Sequence, residues 1–482
     1  MSATGTALPD GFVVFVKEDC PTCMLIEPVL AEMAELGVLQ AIYSQDNPNF
    51  PSSSITKDDS ELELSFKNAI DTVPTLLKIT DGHETGRIVG WLKKEWEGFC
   101  EIKDLGPSEL TDFSPGCGSR SVDPDLQPML QKRFGSGIGS RVVEFASAED
   151  EFESMYGLGW SDGLPLIPPT EQRVMSMLEG TSRSADEVIT IVPPNLVDLT
   201  IEKVAINAVM AGCKPEYLRV VIAALEAVCT DEFNMHGLLA TTMPVGPIIF
   251  VNGPIRNEIG MNSGVNLLGQ GNRANSTIGR ALQLTIRNVG GGRPGEVDRA
   301  THGSPSKVGL CFAEDEEGSP WPSYSEDAGF SSEQSTVTVF AGEGPRVIVD
   351  QLSRSADELA RSLAMGLIGN IHPKLVLGFD SILVIGPEHA SRFRDESWSK
   401  EQVNQSIIEH TIREADLILR GVDGIGEGLP ADFAGLQLPK LRPDGGLLIV
   451  YGGGGAGLFS ASIGGWLSGA KGSQYVTREI GT

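Results

Sequence analysis

Apolar residues follow two different periods over the first hundred positions, and their alternation lays out a small α/β unit. Phe12-Val13-Val14-Phe15-Val16 is an unbroken apolar run of strand length. From Met24 the period lengthens, placing Met24, Leu25, Val29, Leu30 and Met33 on one helical face. Further strands are predicted at residues 38–43, 75–79 and 87–91, and further helices over 61–69 and about 93–103. Asp81-Gly82-His83 has the chemistry of a hairpin turn. Val73-Pro74-Thr75 opens a strand at a residue that gives the ladder no donor.

Past residue 105 the pattern breaks into turn signals, Gly106-Pro107-Ser108, Ser114-Pro115-Gly116 and Gly135-Ser136-Gly137, with one short helix predicted at 126–133. This stretch, 106–150, reads as a connector. From 151 the patterning describes a larger unit whose two halves share an order of elements. Helices at 201–211 and 215–228 precede a strand at 247–251 and the loop Asn252-Gly253-Pro254. A helix at 355–365 precedes strands at 381–385 and 446–450, and the last of these runs into the glycines of 452–457. The fold class is therefore α/β: a small N-terminal domain (1–105), the connector, and a two-lobed α/β unit (151–335 and 336–482) whose repeat suggests pseudo-symmetry.

Chemistry enters at Cys20-Pro21-Thr22-Cys23, between the first strand and the first helix. A helix start favours a thiolate at the first cysteine, and the spacing lets the second resolve a mixed disulfide. Half of a zinc site is the competing reading, but no other Cys-x-x-Cys exists to complete it. With its strand order, Cys20, Cys23 and Val73-Pro74, this region resembles a thioredoxin-fold domain. The resemblance implies a redox-active Cys20–Cys23 disulfide, a cis Pro74 packed beside the thiols, and a helix kinked at Pro28.

A third cysteine lies in the connector, in Pro115-Gly116-Cys117-Gly118-Ser119-Arg120. Glycine on both sides leaves the thiol sterically open, and Arg120 is placed to help hold a thiolate; an incidental linker thiol is the alternative. Together with Trp160-Ser161-Asp162-Gly163-Leu164-Pro165 and Gly271-Asn272-Arg273-Ala274-Asn275, this string resembles a family of thioredoxin-family (seleno)proteins over almost the whole chain. Some members of that family carry selenocysteine where Cys117 stands, which implies a redox or nucleophilic role for Cys117. The resemblance implies no settled activity for the large domain.

In the larger unit, residues 252–302 concentrate Asn, Arg and Gly. Asn252, Asn272, Arg273, Asn275, Arg280 and Arg293 are candidates for binding a small anionic substrate, since guanidinium forks and amide donors match carboxylate or phosphate. Asn and Gly turns with surface Arg are the plainer reading. Among six histidines, His236 and His302 near turns are the candidate acids or bases. No pair has zinc-ligand spacing, so no metal is predicted, and no cofactor beyond the redox-active disulfide. Asp162 reads as a turn residue, and Cys213, Cys229 and Cys311 as core thiols.

A net charge of −28 argues against nucleic acid and anionic membrane surfaces as partners. No apolar run approaches the length of a membrane span, the first ten residues lack the pattern of a signal peptide, and seven scattered cysteines do not form a secreted framework. A cytoplasmic protein is expected, its oligomeric state open, a homo-oligomer included. The leading expectation is a thiol oxidoreductase. In it Cys117 acts on a small anionic substrate in the large unit, Cys20 and Cys23 regenerate Cys117, and an external thiol reductant or reductase recharges the pair. The reaction would be reductive cleavage of a carbon–heteroatom bond or reduction of an oxidised sulfur compound. The alternatives are a sulfur-transfer or lyase enzyme with its chemistry in the large unit, and a soft-metal or organometal handling protein.

Overall fold

The computed structural model describes residues 8–135, 137–143, 145, 150–469 and 472–481. The chain divides into two units, Met1–Glu144 and Phe145–Thr482.

In chain order the first unit runs β1 (Gly11–Val16), α1 (Pro21–Leu25), α2 (Glu27–Glu35), β2 (Leu39–Ser44), β3 (Thr56–Asp58), α3 (Glu63–Lys67), β4 (Thr72–Val73), β5 (Thr75–Thr80), β6 (His83–Val89), β7 (Trp91–Leu92), α4 (Lys93–Cys100), β8 (Phe113–Ser114), β9 (Cys117–Gly118) and α5 (Gln127–Phe134). Its sheet has the order β3-β2-β1-β5-β6. β1, β2 and β3 are parallel, and β5 and β6 run antiparallel to their neighbours. This is a thioredoxin-like mixed sheet. The continuous apolar run of β1 has its cause here: β1 is the middle strand, and Val13, Val14, Phe15 and Val16 are fully buried. Asp81 and Gly82, between β5 and β6, take the positive φ values (52° and 75°) that a two-residue hairpin turn requires.

The helix predicted after Cys20 is interrupted. α1 ends at Leu25 and α2 restarts at Glu27 with Pro28 in its first turn, where a missing N–H leaves no gap in the ladder. The chain after residue 105 lies against this unit. Gly106 N–H donates to Glu32 Oε2 (2.8 Å), Trp91 Nε1 to the Thr111 carbonyl (2.7 Å), and Ser121 Oγ to the Ile70 carbonyl (2.6 Å).

The second unit is mixed α/β around an eight-stranded sheet. Two parallel pairs, Gly246–Asn252 with Leu310–Ala313 and Phe379–Ile385 with Leu447–Tyr451, are joined through the antiparallel strands Thr336–Gly342 and Phe459–Leu467. Helices Ile201–Ala211, Leu218–Val228, Arg273–Asn288 and Ala356–Ile368 supply buried apolar faces. Among the described residues no helix is long and apolar enough to cross a membrane.

Candidate active site

β1 delivers the chain to Cys20, which caps α1 with its own sulfur. The Cys23 backbone N–H donates to Cys20 Sγ at 3.3 Å. Both cysteines are fully buried and reduced. Cys20 Sγ also lies 3.6 Å from the carbonyl oxygen of Val73, and the Val73–Pro74 peptide bond is cis.

Cys117 reaches the same place by a route the sequence pattern did not announce. Its segment is not a free loop but is zipped down on both sides. β8 pairs with β7, setting Ser114 opposite Trp91, and β9 pairs antiparallel with β4, setting Cys117 opposite Val73. Between these ladders the chain passes so close that a Cβ on Gly116 would stand 2.3 Å from Thr72 Cγ2 and 3.1 Å from the Val73 oxygen, so glycine is required there. The Cys117 side chain comes near enough to Cys20 to lower the Cys20 thiol and to be raised by it in turn. Cys117 is half-buried, the one member of the three with solvent access.

The electrostatics separate three roles. A hydrogen bond from the Cys23 thiol is the largest influence on Cys20. With a second from Cys117 and the backbone N–H groups of Cys23 and Thr22, it outweighs burial and pulls the Cys20 thiol down from 9.0 to about 5. At pH 7 roughly one molecule in a hundred keeps that proton. Burial, followed by the hydrogen bond to Cys20, pushes Cys23 far up. Cys117 is raised as well, by burial and then by the neighbouring Cys20 sulfur, with Lys17 opposing. One thiolate therefore sits between two thiol donors. The other cysteines stand apart: burial pushes Cys100 to about 11 and Cys213 and Cys229 to about 12, and it raises Cys311 too.

Arg120, expected to hold the Cys117 thiolate, turns elsewhere. Its Nη1 donates to the Gln45 carbonyl (2.9 Å) and its backbone N–H to Gln45 Oε1 (3.0 Å), which pins the chain just beyond Cys117. Thr22 and Ser114 were missed as participants. Thr22 stood only as a spacer in the cysteine motif, and two-residue strands such as β8 and β9 are too short to leave a period in sequence.

No protein-family model, no curated protein and no solved structure matches the chain.

The candidate residues of the second unit are bound into its own fold. Asn272 caps helix Arg273–Asn288, accepting from the Asn275 N–H (3.1 Å), and its Nδ2 donates to the Gly260 carbonyl (2.8 Å). Arg273 donates to the carbonyls of Gly212 (2.8 Å) and Cys213 (3.4 Å), closing the end of helix Ile201–Ala211. Asn275 exchanges two bonds with the Asn262 backbone. Arg280 holds both oxygens of Asp162 at 2.8 Å, so that turn residue is also an ion-pair partner. Asn252, fully buried, donates to Glu314 (2.6 Å) and Glu316 (2.9 Å). Arg293 is half-buried with its Nε sealed from solvent and lacking an acceptor among the described residues. His236, on helix Met235–Ala240, and His302, in a bend, are both exposed. Among the described residues no group of three or more His, Cys, Asp or Glu is placed to hold a metal, which leaves the soft-metal reading without such a cluster.

Proposed function

We propose that this chain is a thiol–disulfide oxidoreductase in which Cys117 attacks the substrate, Cys20 displaces the bound half as a Cys20–Cys117 disulfide, and Cys23 resolves that disulfide. The observation that carries the reading is the division of labour among three adjacent sulfurs: the thiolate, Cys20, is fully buried, and the thiol bonded to it, Cys117, has solvent access.

The substrate class is a small oxidised sulfur compound, written RS–SR′. The Cys117 proton moves along its hydrogen bond to Cys20, Cys117 attacks RS, and R′S⁻ leaves and takes up that proton, giving Cys117–S–SR. The Cys20 thiolate then attacks Cys117 sulfur, forming Cys20–S–S–Cys117 and releasing RS⁻. Cys23 passes its proton to RS⁻ and attacks Cys20, and the Cys117 thiol is restored on protonation. The product is the Cys20–Cys23 disulfide, which an external dithiol reductant returns to the Cys20 thiolate and Cys23 thiol with two electrons and one proton, its second proton replacing the one Cys117 took up. The cis bond to Pro74 follows Val73, whose carbonyl oxygen lies 3.6 Å from Cys20 Sγ.

The test is to trap the intermediate. A Cys23→Ser variant turned over with a low-molecular-weight disulfide should accumulate a Cys20–Cys117 disulfide, read by mass spectrometry of its peptides. Mixed disulfides on Cys20 alone, with Cys117 untouched, would sink the relay. Cys117→Ser should abolish turnover while leaving the Cys20–Cys23 pair reducible.

A further inference from the structure

What holds Cys117 against Cys20 is not settled by the two short ladders, each only two residue pairs long. A side chain from the other partner completes the attachment. Thr22 projects from α1 between the two cysteines of the motif and is buried. Its Oγ1 donates to the Pro115 carbonyl at 2.5 Å. A hydroxyl has one proton, so the second contact, Ser114 Oγ at 2.7 Å, must be a bond that Ser114 donates. Ser114 ends β8, Pro115 follows it on the way to β9, and Cys117 follows Pro115 by two residues. The hydroxyl that lies between the two cysteines in sequence thus fastens the third cysteine in space.

We propose that Thr22 is the positioning residue for Cys117: its hydroxyl sets the separation between the helix carrying Cys20 and the strand carrying Cys117. This rests on the relay proposed above. Thr22 touches neither substrate nor reacting sulfur through its side chain; it acts on the effective concentration of one thiol at the other. Arg120 and Ser121 tie down the chain after Cys117, and Thr22 supplies the side-chain tie just before it.

The experiment uses the full chain carrying Cys23→Ser, equilibrated in reduced and oxidised glutathione. The reaction read is Cys20–SH + Cys117–SH + GSSG ⇌ Cys20–S–S–Cys117 + 2 GSH, with the disulfide quantified by mass spectrometry. Adding Thr22→Val, which keeps the shape and removes the hydroxyl, should lower the equilibrium constant about tenfold or more. Thr22→Ser, which restores the oxygen, should bring it back to within about threefold. A role confined to packing would give the reverse order, with valine tolerated and serine costly. Should the valine variant fold poorly, Ser114→Ala removes one of the two bonds and should lower the constant about threefold. An unchanged constant in Thr22→Val, or in Ser114→Ala, overturns the assignment of Thr22 while leaving the relay standing. Absence of the Cys20–Cys117 disulfide with Thr22 intact overturns the relay itself, and this inference with it.

Discussion

Two stretches of this chain are dense in residues that can do chemistry, and they stand in opposite states. Beside Cys117 the polar groups converge on the Cys20 sulfur, which keeps a charge and free lone pairs: the Cys23 and Cys117 thiols and the backbone N–H groups of Cys23 and Thr22 all lower it. Between Asn252 and His302 the groups are more numerous and stronger, yet most of their valences are answered within the fold. Arg280 is held by Asp162, Arg273 by the end of a helix, Asn272 by the cap it makes. A count of Arg, Asn and His favours the second stretch. The first is the better candidate because its charge is held by thiols and backbone N–H groups, and a thiol neighbour can exchange electrons where a guanidinium can only neutralise.

The most severe test of this contrast is Cys20→Ser, which should cut disulfide-exchange turnover by about a thousandfold or more, since no other cysteine is held as a thiolate, while thermal stability changes little. Arg280→Met should do the opposite. It strands the Asp162 carboxylate, 16% exposed, without its fork and should cost about 3 kcal/mol in chemical denaturation, with exchange turnover intact. If Arg280→Met instead abolishes turnover at unchanged stability, the second stretch is a site after all and the comparison falls.

A finer test follows the charge itself. Thiolate absorbance near 240 nm in the reduced protein should titrate with a midpoint near pH 5, because Cys20 alone is lowered and the other thiols discussed above are raised. The Cys117 thiol donates to the charged form, so removing it in Cys117→Ala must move that midpoint upward; a midpoint that stays put would mean the two sulfurs do not interact. The smallest expected effect is Asn272→Ala, which removes a helix cap and should cost about 1 kcal/mol without touching the titration.

Much of the scaffold could be read from the chain because its signals are long. β1, the helix Ile201–Ala211 and the strand Gly246–Asn252 each carry several buried residues in a row or in period, and burial on one face is what writes a pattern, while the exposed hairpin at Asp81-Gly82 shows by its turn chemistry. The strand Phe459–Leu467 went unread although it links the two parallel pairs of the large sheet. Its Ser460, Ala461, Ser462, Gly464 and Gly465 are all small, a Cβ on Gly464 would meet Glu343 and one on Gly465 the Asp380 backbone, and small residues imitate a loop. The thiol site divides the same way. Cys20, Cys23 and Pro74 announce themselves by spacing and position, whereas the attachment of Cys117 depends on Val73, Gly116, Thr22 and Ser114. These are tertiary meetings of residues far apart in sequence, each unremarkable alone.

The split between charge and access at the three sulfurs bears on how such a protein survives stray oxidants. Hydrogen peroxide and related electrophiles attack thiolates that they can reach, and progress from sulfenic to sulfonic acid ends the working life of a cysteine. Here the sulfur lowered toward the thiolate has no solvent-accessible surface, and the sulfur with solvent access is raised toward the thiol. Damage requires both conditions at one atom, and the fold grants them to different atoms. Under the relay proposed above, the pairing of Cys117 with Cys20 would work as a safety catch, released only by a reactant that engages the outer thiol long enough for the proton to cross.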